Sequence, residues 1–329
     1  MKKKDELILL LNSKEESERL YAVEDILDFG LIELSLELLT RLKVETSPAV
    51  KNSIVSVLQK MEHTPAYPVI FKLFPDRDAF MRNSAVSIFS AYGENVVTFL
   101  SSYLDHADKE VRKLILDSLV EIASRRSETK NSVLEIFRAC LYDPSINVVI
   151  TAIEYLGRLG DRNSLDDLIQ LYQRVNEPML RSTVLDCVLK IGDKEDFEST
   201  ISTLFQDLQS VDSIYIPQVM RLLAQSGKKE EFLQLVRDKQ KEGNYSEDIL
   251  ASIDWLIKKE VLAPNECIPI LKEIASTEKL DEDMRVICVK LLLASGNKEA
   301  FEFVREWGKR GSKEFQAFCI ESMEEEKNG

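Results

Sequence analysis

The chain has few residues of the types that act as general bases or metal ligands. It contains two histidines, His63 and His106, and neither is followed by a glutamate. The five cysteines are widely spaced and form no Cys-x-x-Cys pair: Cys140, Cys187, Cys267, Cys288 and Cys319. Serine and cysteine nucleophiles need a neighbouring base, and zinc needs clustered ligands. We therefore expect a protein that is not an enzyme, with no catalytic, metal-binding or cofactor-binding residues.

The net charge of the chain limits the classes of partner that it is expected to bind. The chain has 57 acidic and 43 basic residues, which gives a formal net charge of −14. Such a surface repels nucleic-acid phosphates and anionic lipids, so neither nucleic acid nor a membrane is the expected partner. The apolar run near the amino terminus, Leu7–Leu11, is too short for the core of a signal peptide. With cysteines at core-like positions as reduced thiols, the expected location is cytoplasmic.

A helical pattern is clearest between residues 143 and 161. Asp143 and Pro144 form a helix start, with a capping side chain followed by proline in the first turn. Apolar residues then recur at three- and four-residue spacing, and Gly160 supplies a left-handed helix end. The segment is therefore predicted to be one amphipathic helix.

The same helix recurs along the whole chain, and we call its copies B helices. The residue eleven before the terminal glycine is the anchor, which recurs every 30 to 37 residues: Arg19, Lys51, Arg82, Arg112, Val149, Arg181, Ile216, Asp248 and Arg285. The residues three and seven after every anchor are apolar, which predicts a buried stripe. The residue four before each anchor is polar and predicts a helix cap. Where the anchor is arginine, as in Asp78/Arg82, Asp108/Arg112 and Asp281/Arg285, we expect an ion pair across one helical turn.

A second apolar-periodic segment lies between successive B helices, and we call these segments A helices. Helix pairs repeating at this period are units of an α-solenoid. The sequence therefore predicts an all-α fold, a right-handed α-α superhelix of about ten helix pairs that spans residues 1–329 as a single domain. Pro217, Pro264 and Pro269 predict an irregular segment near 205–275. The acidic last unit is the expected terminal cap.

These repeats resemble HEAT repeats, an armadillo-like family, and look most like the compact bacterial type. The resemblance covers about residues 3–323 and is clearest in the stretches that begin at Asp78, Asp108 and Glu177: DAFMRNSAVSIFSAYG, DKEVRKLILDSLVEIA and EPMLRSTVLDCVLKIG. It implies a scaffold or adaptor that binds protein partners. Di-iron hydroxylases of this architecture use repeated His-Glu pairs, which are missing here, and DNA glycosylases of this fold need a basic face. Trp255 and Trp307 are predicted core residues. The alternative is a protein like the phycobilin lyases, which position a tetrapyrrole and its acceptor protein.

In such solenoids the B helices line the concave side, which makes their outward positions the predicted partner-binding face. Acidic residues recur five and nine positions after the anchors. The predicted acidic groove, which would receive a basic segment of a partner protein, consists of Glu24, Asp28, Asp117, Glu121, Glu154 and Asp186. The competing interpretation is a solvated helix face, in which Glu154/Arg158 and Asp186/Lys190 pair with each other. The sequence leaves the identity of the partner and the oligomeric state open.

Overall fold

The computed structural model describes residues 2–206, 208, 211–239, 246–260, 262–276 and 280–328. Those residues form twenty α-helices and no β-strand. The chain packs as two compact units, residues 1–164 and 165–329, and each unit contains five helix pairs. The prediction of an all-α fold of about ten helix pairs is thus confirmed. The prediction of a single domain stays a prediction.

Unit 1 has two layers of helices. Its A helices are α1 Lys2–Leu11, α3 Ser35–Val44, α5 Tyr67–Phe71, α7 Glu94–Ser101 and α9 Lys130–Ala139. Its B helices are α2 Glu16–Asp28, α4 Pro48–Lys60, α6 Ala79–Phe89, α8 Lys109–Arg125 and α10 Ile146–Leu159. Each B helix packs against the next, from α2 through to α10, and we call this row the B layer of unit 1. Among the A helices, α3 contacts α1 and α5, and α7 contacts α9.

Unit 2 repeats the arrangement. Its A helices are α11 Leu165–Arg174, α13 Lys194–Leu204, α15 Lys229–Lys239, α17 Pro264–Ala275 and α19 Lys298–Gly308. Its B helices are α12 Pro178–Ile191, α14 Ile216–Ser226, α16 Ser246–Lys258, α18 Glu282–Leu293 and α20 Lys313–Asn328, again in consecutive contact.

The prolines of unit 2 interrupt its helices less than the sequence suggested. Pro217 and Pro264 lie in first turns, where a missing N–H leaves no hydrogen bond unmade. Pro269 lies inside α17, and the helix continues past it. Residues 207, 209–210, 240–245 and 261 of the predicted irregular segment lie outside the described residues. In the rest of that segment, helix pairs continue.

The predicted apolar stripe forms the core of both units. With two exceptions, every residue three or seven after an anchor has no exposed surface. The exceptions, Ala251 and half-buried Trp255, belong to the same helix, α16. There the buried positions are Ser252 and Leu256, so the anchor is Ile249 and the predicted register was wrong by one residue. Trp255 is therefore not a residue of the buried stripe.

The ends of the B helices follow the predicted chemistry in most repeats. Side chains cap the backbone N–H groups of the first turn at five of the predicted positions: Ser47, Asp78, Asp108, Glu177 and Asp281. The predicted cap Asn244 lies outside the described residues. Four glycines take the left-handed conformation at the helix end: Gly30, Gly160, Gly227 and Gly296. Gly93 and Gly192 are extended instead, so the prediction was wrong for those two.

In unit 1, residues that directly follow α6 and α8 also help to complete the end of the B helix before them. The Tyr92 hydroxyl donates to the carbonyls of Leu58 and Met61, 2.6 and 3.2 Å away. In the next repeat, Arg126 donates to the carbonyls of Ala91 and Tyr92 at 3.0 and 3.1 Å. The last carbonyls of a helix lack partners within that helix, so these contacts satisfy groups that would otherwise need water.

Candidate functional site

Two of the anchor arginines, Arg112 and Arg19, link neighbouring repeats, which was not predicted from the sequence. The Nε and Nη2 groups of Arg112 donate to both carboxylate oxygens of Asp143, each at 2.8 Å, 31 residues further along the chain. Its Nη1 donates to the carbonyl of His106 at 2.6 Å. Asp108, the predicted partner, instead accepts from the backbone N–H of Glu110 at the start of its own helix. The predicted Asp108/Arg112 pair across one turn was therefore wrong.

The same correction holds for the other two predicted pairs. Arg82 donates to the carbonyl of Asp76 at 2.7 Å, and Arg285 donates to the carbonyl of Leu280 at 3.2 Å. The acids four residues earlier, Asp78 and Asp281, accept from backbone N–H groups of their own first turns. An acid at a helix start gains more from the unpaired N–H groups beside it than from an exposed side chain one turn away.

Arg19 repeats the Arg112 arrangement in the first helix pair. It donates to both carboxylate oxygens of Glu45, at 2.9 and 3.1 Å, and the Glu45 side chain is fully buried. Burial alone would raise the pKa of Glu45. Hydrogen bonds from Arg41, Arg19 and the backbone N–H groups of Ser47 and Thr46 outweigh that effect and lower its pKa to about 2. These arginine–acid pairs are structural links, and they are not available to a partner.

Asp117, a predicted groove residue on α8, is engaged within the protein. It accepts a 2.5 Å hydrogen bond from the hydroxyl of Tyr155 on the next B helix. Burial raises the pKa of the Asp117 carboxyl, and the hydrogen bond from Tyr155 opposes that rise. Asp117 also lines a cleft of about 340 Å³ beside α6 and α8, together with Asp76, Arg82 and Lys113. The cleft carries both signs of charge and is no purely acidic pocket.

Glu121 and Asp186 pair with arginines of the following repeat. Glu121 contacts Arg158 at 2.8 Å across the B layer of unit 1, and Arg125 lies 4.0 Å away on the same helix. In unit 2, Asp186 lies 3.8 Å from Arg221 on the next B helix. The solvated-face interpretation expected Arg158 to pair with Glu154. Arg158 pairs with Glu121 instead. In both units, opposite charges pair between successive B helices.

Three of the predicted groove residues keep exposed carboxylates. Glu24 and Asp28 lie on α2, Glu154 lies on α10, and none of them has an ion pair within the described part of the chain. The structure brings Glu154 close to Asp117 and Glu121, because α8 and α10 are neighbours. Glu24 and Asp28 lie further along the layer, beyond α4 and α6. The equivalent positions on those two helices hold Ser56, Lys60, Ser87 and Ala91. The acidic residues of unit 1 thus form two groups, one on α2 and one on α8 and α10, and the grouping of all six as one groove stays a prediction.

The histidines and cysteines have ordinary structural surroundings. His63 Nδ1 lies 2.7 Å from the hydroxyl of Ser35, and His106 Nδ1 accepts from the backbone N–H of Asp108. Burial raises the pKa of three thiols to about 12, those of Cys140, Cys267 and Cys288. Among the described residues, no three His, Cys, Asp or Glu side chains come together in a way that could hold a metal ion. None of the described helices combines the length and apolar character needed to cross a bilayer.

Comparison with known proteins supports the fold more than any particular activity. No curated protein matches the sequence. The chain is similar to an engineered protein of known crystal structure, with 15% identity, a TM-score of 0.41 and 98% of each chain covered. It is also similar to the complex of CpcE and CpcF of phycocyanin lyase from Nostoc sp., with 16% identity and a TM-score of 0.30, over 68% of this chain and 92% of that one. Neither score is high enough to carry an argument. Residues 96–189 match the family model of HEAT repeats, so the stretch from α7 to α12 consists of HEAT repeats, as the resemblance predicted.

Proposed function

We propose that the chain is a non-catalytic scaffold that holds a partner protein against the B layer of unit 1. The observation that carries the proposal is the set of exposed carboxylates on that layer, Glu24, Asp28 and Glu154, which have no ion pair within the described residues. Neighbouring acids that could serve the structure, Asp117 and Glu121, are already engaged. Exposed carboxylates without an ion pair among the described residues can attract a basic segment of a partner protein.

The HEAT-repeat match over residues 96–189 supports the same function, since such repeats generally mediate protein interactions. A layer of helices presents many side chains on one surface, so a partner can contact several repeats at once. No observation on the described residues favours the phycobilin-lyase alternative, and we do not propose it.

The test compares two triple charge reversals in pull-downs from an extract of the native host. The test variant carries Glu24→Lys, Asp28→Lys and Glu154→Lys. The control carries Asp5→Lys, Glu6→Lys and Glu135→Lys, which make the same change of net charge at exposed positions of the A helices α1 and α9.

We expect mass spectrometry to identify a protein that the wild type and the control retain and that the test variant loses. Raising the salt concentration should weaken its retention, because exposed charges are screened. If both triple variants retained the same proteins as the wild type, the B layer of unit 1 would not be the binding face.

A further inference from the structure

The first helix pair exposes aromatic side chains at positions that are buried or half-buried in the other repeats of unit 1. Three positions of a B helix face the B helix before it: two, six and ten residues after the anchor. Gln218, at the first of these positions, donates to Ser182 on α12, the B helix before its own. Tyr155, at the second, donates to Asp117 on α8, and Tyr92, at the third, donates to carbonyls at the end of α4. On α2 these positions hold Tyr21, Asp25 and Phe29, which we call the N-terminal edge.

The difference in exposure at these positions is large. Within unit 1, the residues equivalent to Tyr21 are half-buried at Ser53 and Leu114 and buried at Ser84 and Thr151, which are 4% and 7% exposed, whereas Tyr21 is 66% exposed. Tyr92, equivalent to Phe29, is 1% exposed, whereas Phe29 is 43% exposed. Lys3 lies over part of the Phe29 ring, 3.1 Å from its centre, and leaves Tyr21 uncovered. The N-terminal edge therefore presents aromatic surface at positions that are partly or fully covered elsewhere in the unit.

We propose that the N-terminal edge docks a basic amphipathic helix of a partner protein, which packs beside α2 as a preceding B helix would. The acidic residues around the edge favour a basic partner helix. Asp25 lies within the edge, and Glu24 and Asp28 lie beside it, all on α2. Opposite charges pair between successive B helices elsewhere, in Glu121–Arg158 and in Asp186–Arg221. A helix with two arginines one turn apart would pair with Glu24 and Asp28 in the same way.

A second copy of the chain fits this edge less well. Two N-terminal edges in contact would bring the acids of one α2 against those of the other, and like charges at such distances repel. The proposal concerns the end of the first helix pair and does not depend on whether the wider B-layer face binds a partner.

The test measures binding of a designed peptide to the full chain. The probe is a fluorescein-labelled helical peptide of about 18 residues, with a leucine and alanine stripe and two arginines four residues apart. A twin peptide carries glutamates in place of the arginines. We expect fluorescence anisotropy to show at least tenfold tighter binding of the arginine peptide.

Two matched variants locate the binding. Tyr21→Ser places at the edge the residue type found at Ser84 and leaves the charge unchanged. Val44→Ser changes a side chain of similar exposure, 65%, on the A helix α3. We expect Tyr21→Ser to weaken binding of the arginine peptide at least fivefold and Val44→Ser to leave it unchanged, with circular dichroism showing both variants folded. Hydrogen exchange should slow in α1 and α2 on binding.

Three outcomes would overturn the proposal. One is the absence of binding, and another is binding that Tyr21→Ser does not weaken, since it would be attraction to the net acidic surface alone. The third is a dimer in sedimentation experiments that Tyr21→Ser abolishes, because a second copy would then be the occupant of the edge.

Discussion

Unit 1 and unit 2 differ in how the anchor positions join successive repeats. In unit 1, Arg19 and Arg112 each make a two-bond ion pair with an acid that precedes the next B helix. In unit 2, the anchors of α14 and α16 are Ile216 and Ile249, which are completely buried. A buried ion pair gains stability only when both partners are present, whereas apolar packing of similar volume is often as stable. The arginine–acid pairs of unit 1 and the buried isoleucine anchors of unit 2 should therefore respond differently to single substitutions.

The largest effect is expected from breaking an arginine link. Arg112→Leu leaves the Asp143 carboxylate, whose side chain is only 8% exposed, without its partner. We expect the free energy of unfolding, measured by urea denaturation, to fall by about 3–5 kcal/mol. Replacing both residues by leucine should recover part of the loss. Arg125→Leu is the control, since that side chain is mostly exposed and its loss should cost less than about 1 kcal/mol. An equal loss in both single variants would mean that the Arg112–Asp143 pair is no structural link.

The register of α16 offers the next test, because it separates two adjacent residues. Leu256 is completely buried, whereas its neighbour Trp255 is half-buried. We expect Leu256→Ala to lower the free energy of unfolding by about 2–5 kcal/mol, the usual range for a core leucine. Trp255→Ala should cost clearly less. A larger loss for Trp255→Ala would restore the register inferred from the sequence.

A pH titration should isolate the Glu45 link of unit 1. Its pKa is about 2 in the folded chain against an ordinary value of 4.5. The folded state therefore gains stability from the ionised carboxylate above about pH 4.5. That gain disappears as the pH falls towards 2 and amounts to roughly 3 kcal/mol.

The measurement is the difference in unfolding free energy between the wild type and Glu45→Gln. It should be largest above pH 5 and shrink as the pH is lowered towards 2. A constant difference for Glu45→Gln would contradict the pKa shift.

The smallest effects are expected at two helix ends, one in each unit, where substitutions should act with opposite sign. In unit 1, Gly160 ends α10 with φ +72°, and alanine there should cost about 1 kcal/mol. In unit 2, Glu260 follows α16 with φ +57°, a conformation that favours glycine. Glu260→Gly should raise the free energy of unfolding by up to about 1 kcal/mol. Thermal unfolding curves of both variants check the pair, and a destabilised Glu260→Gly would contradict the assignment.

The apolar stripe was predictable from sequence because buried residues recur every three to four positions in all repeats. Prediction failed in α16 because the marker used to align repeats was glycine at the helix end, and that position holds Glu260. Without a terminal glycine, the positions of Ala251 and Trp255 matched the apolar pattern as well as those of Ser252 and Leu256 did. Composition alone could not choose between two stripes one residue apart.

The arginine links were missed for a different reason. Each acid stands six residues before the next anchor, as Glu45 does before Lys51 and Asp143 does before Val149. The pairing therefore crosses from one repeat to the next, whereas the predicted pairs lie within one helix. The spacing is visible in the sequence once repeats are aligned. From the sequence, all six candidate acids could be placed on outward positions of B helices. The sequence could not show which of them have partners on neighbouring helices, because those partners depend on the packing between repeats.

The contacts of Tyr92 and Arg126 with the end of the preceding helix give unit 1 a direction of assembly. The ends of α4 and α6 obtain these partners only when the following repeat is in place. During synthesis, α4 and α6 would therefore each keep a frayed end until the ribosome has released the next helix pair. Deletion of the chain from α6 onward would leave α4 with such an unfinished end, whereas removal of the first helix pair would leave both contacts in place.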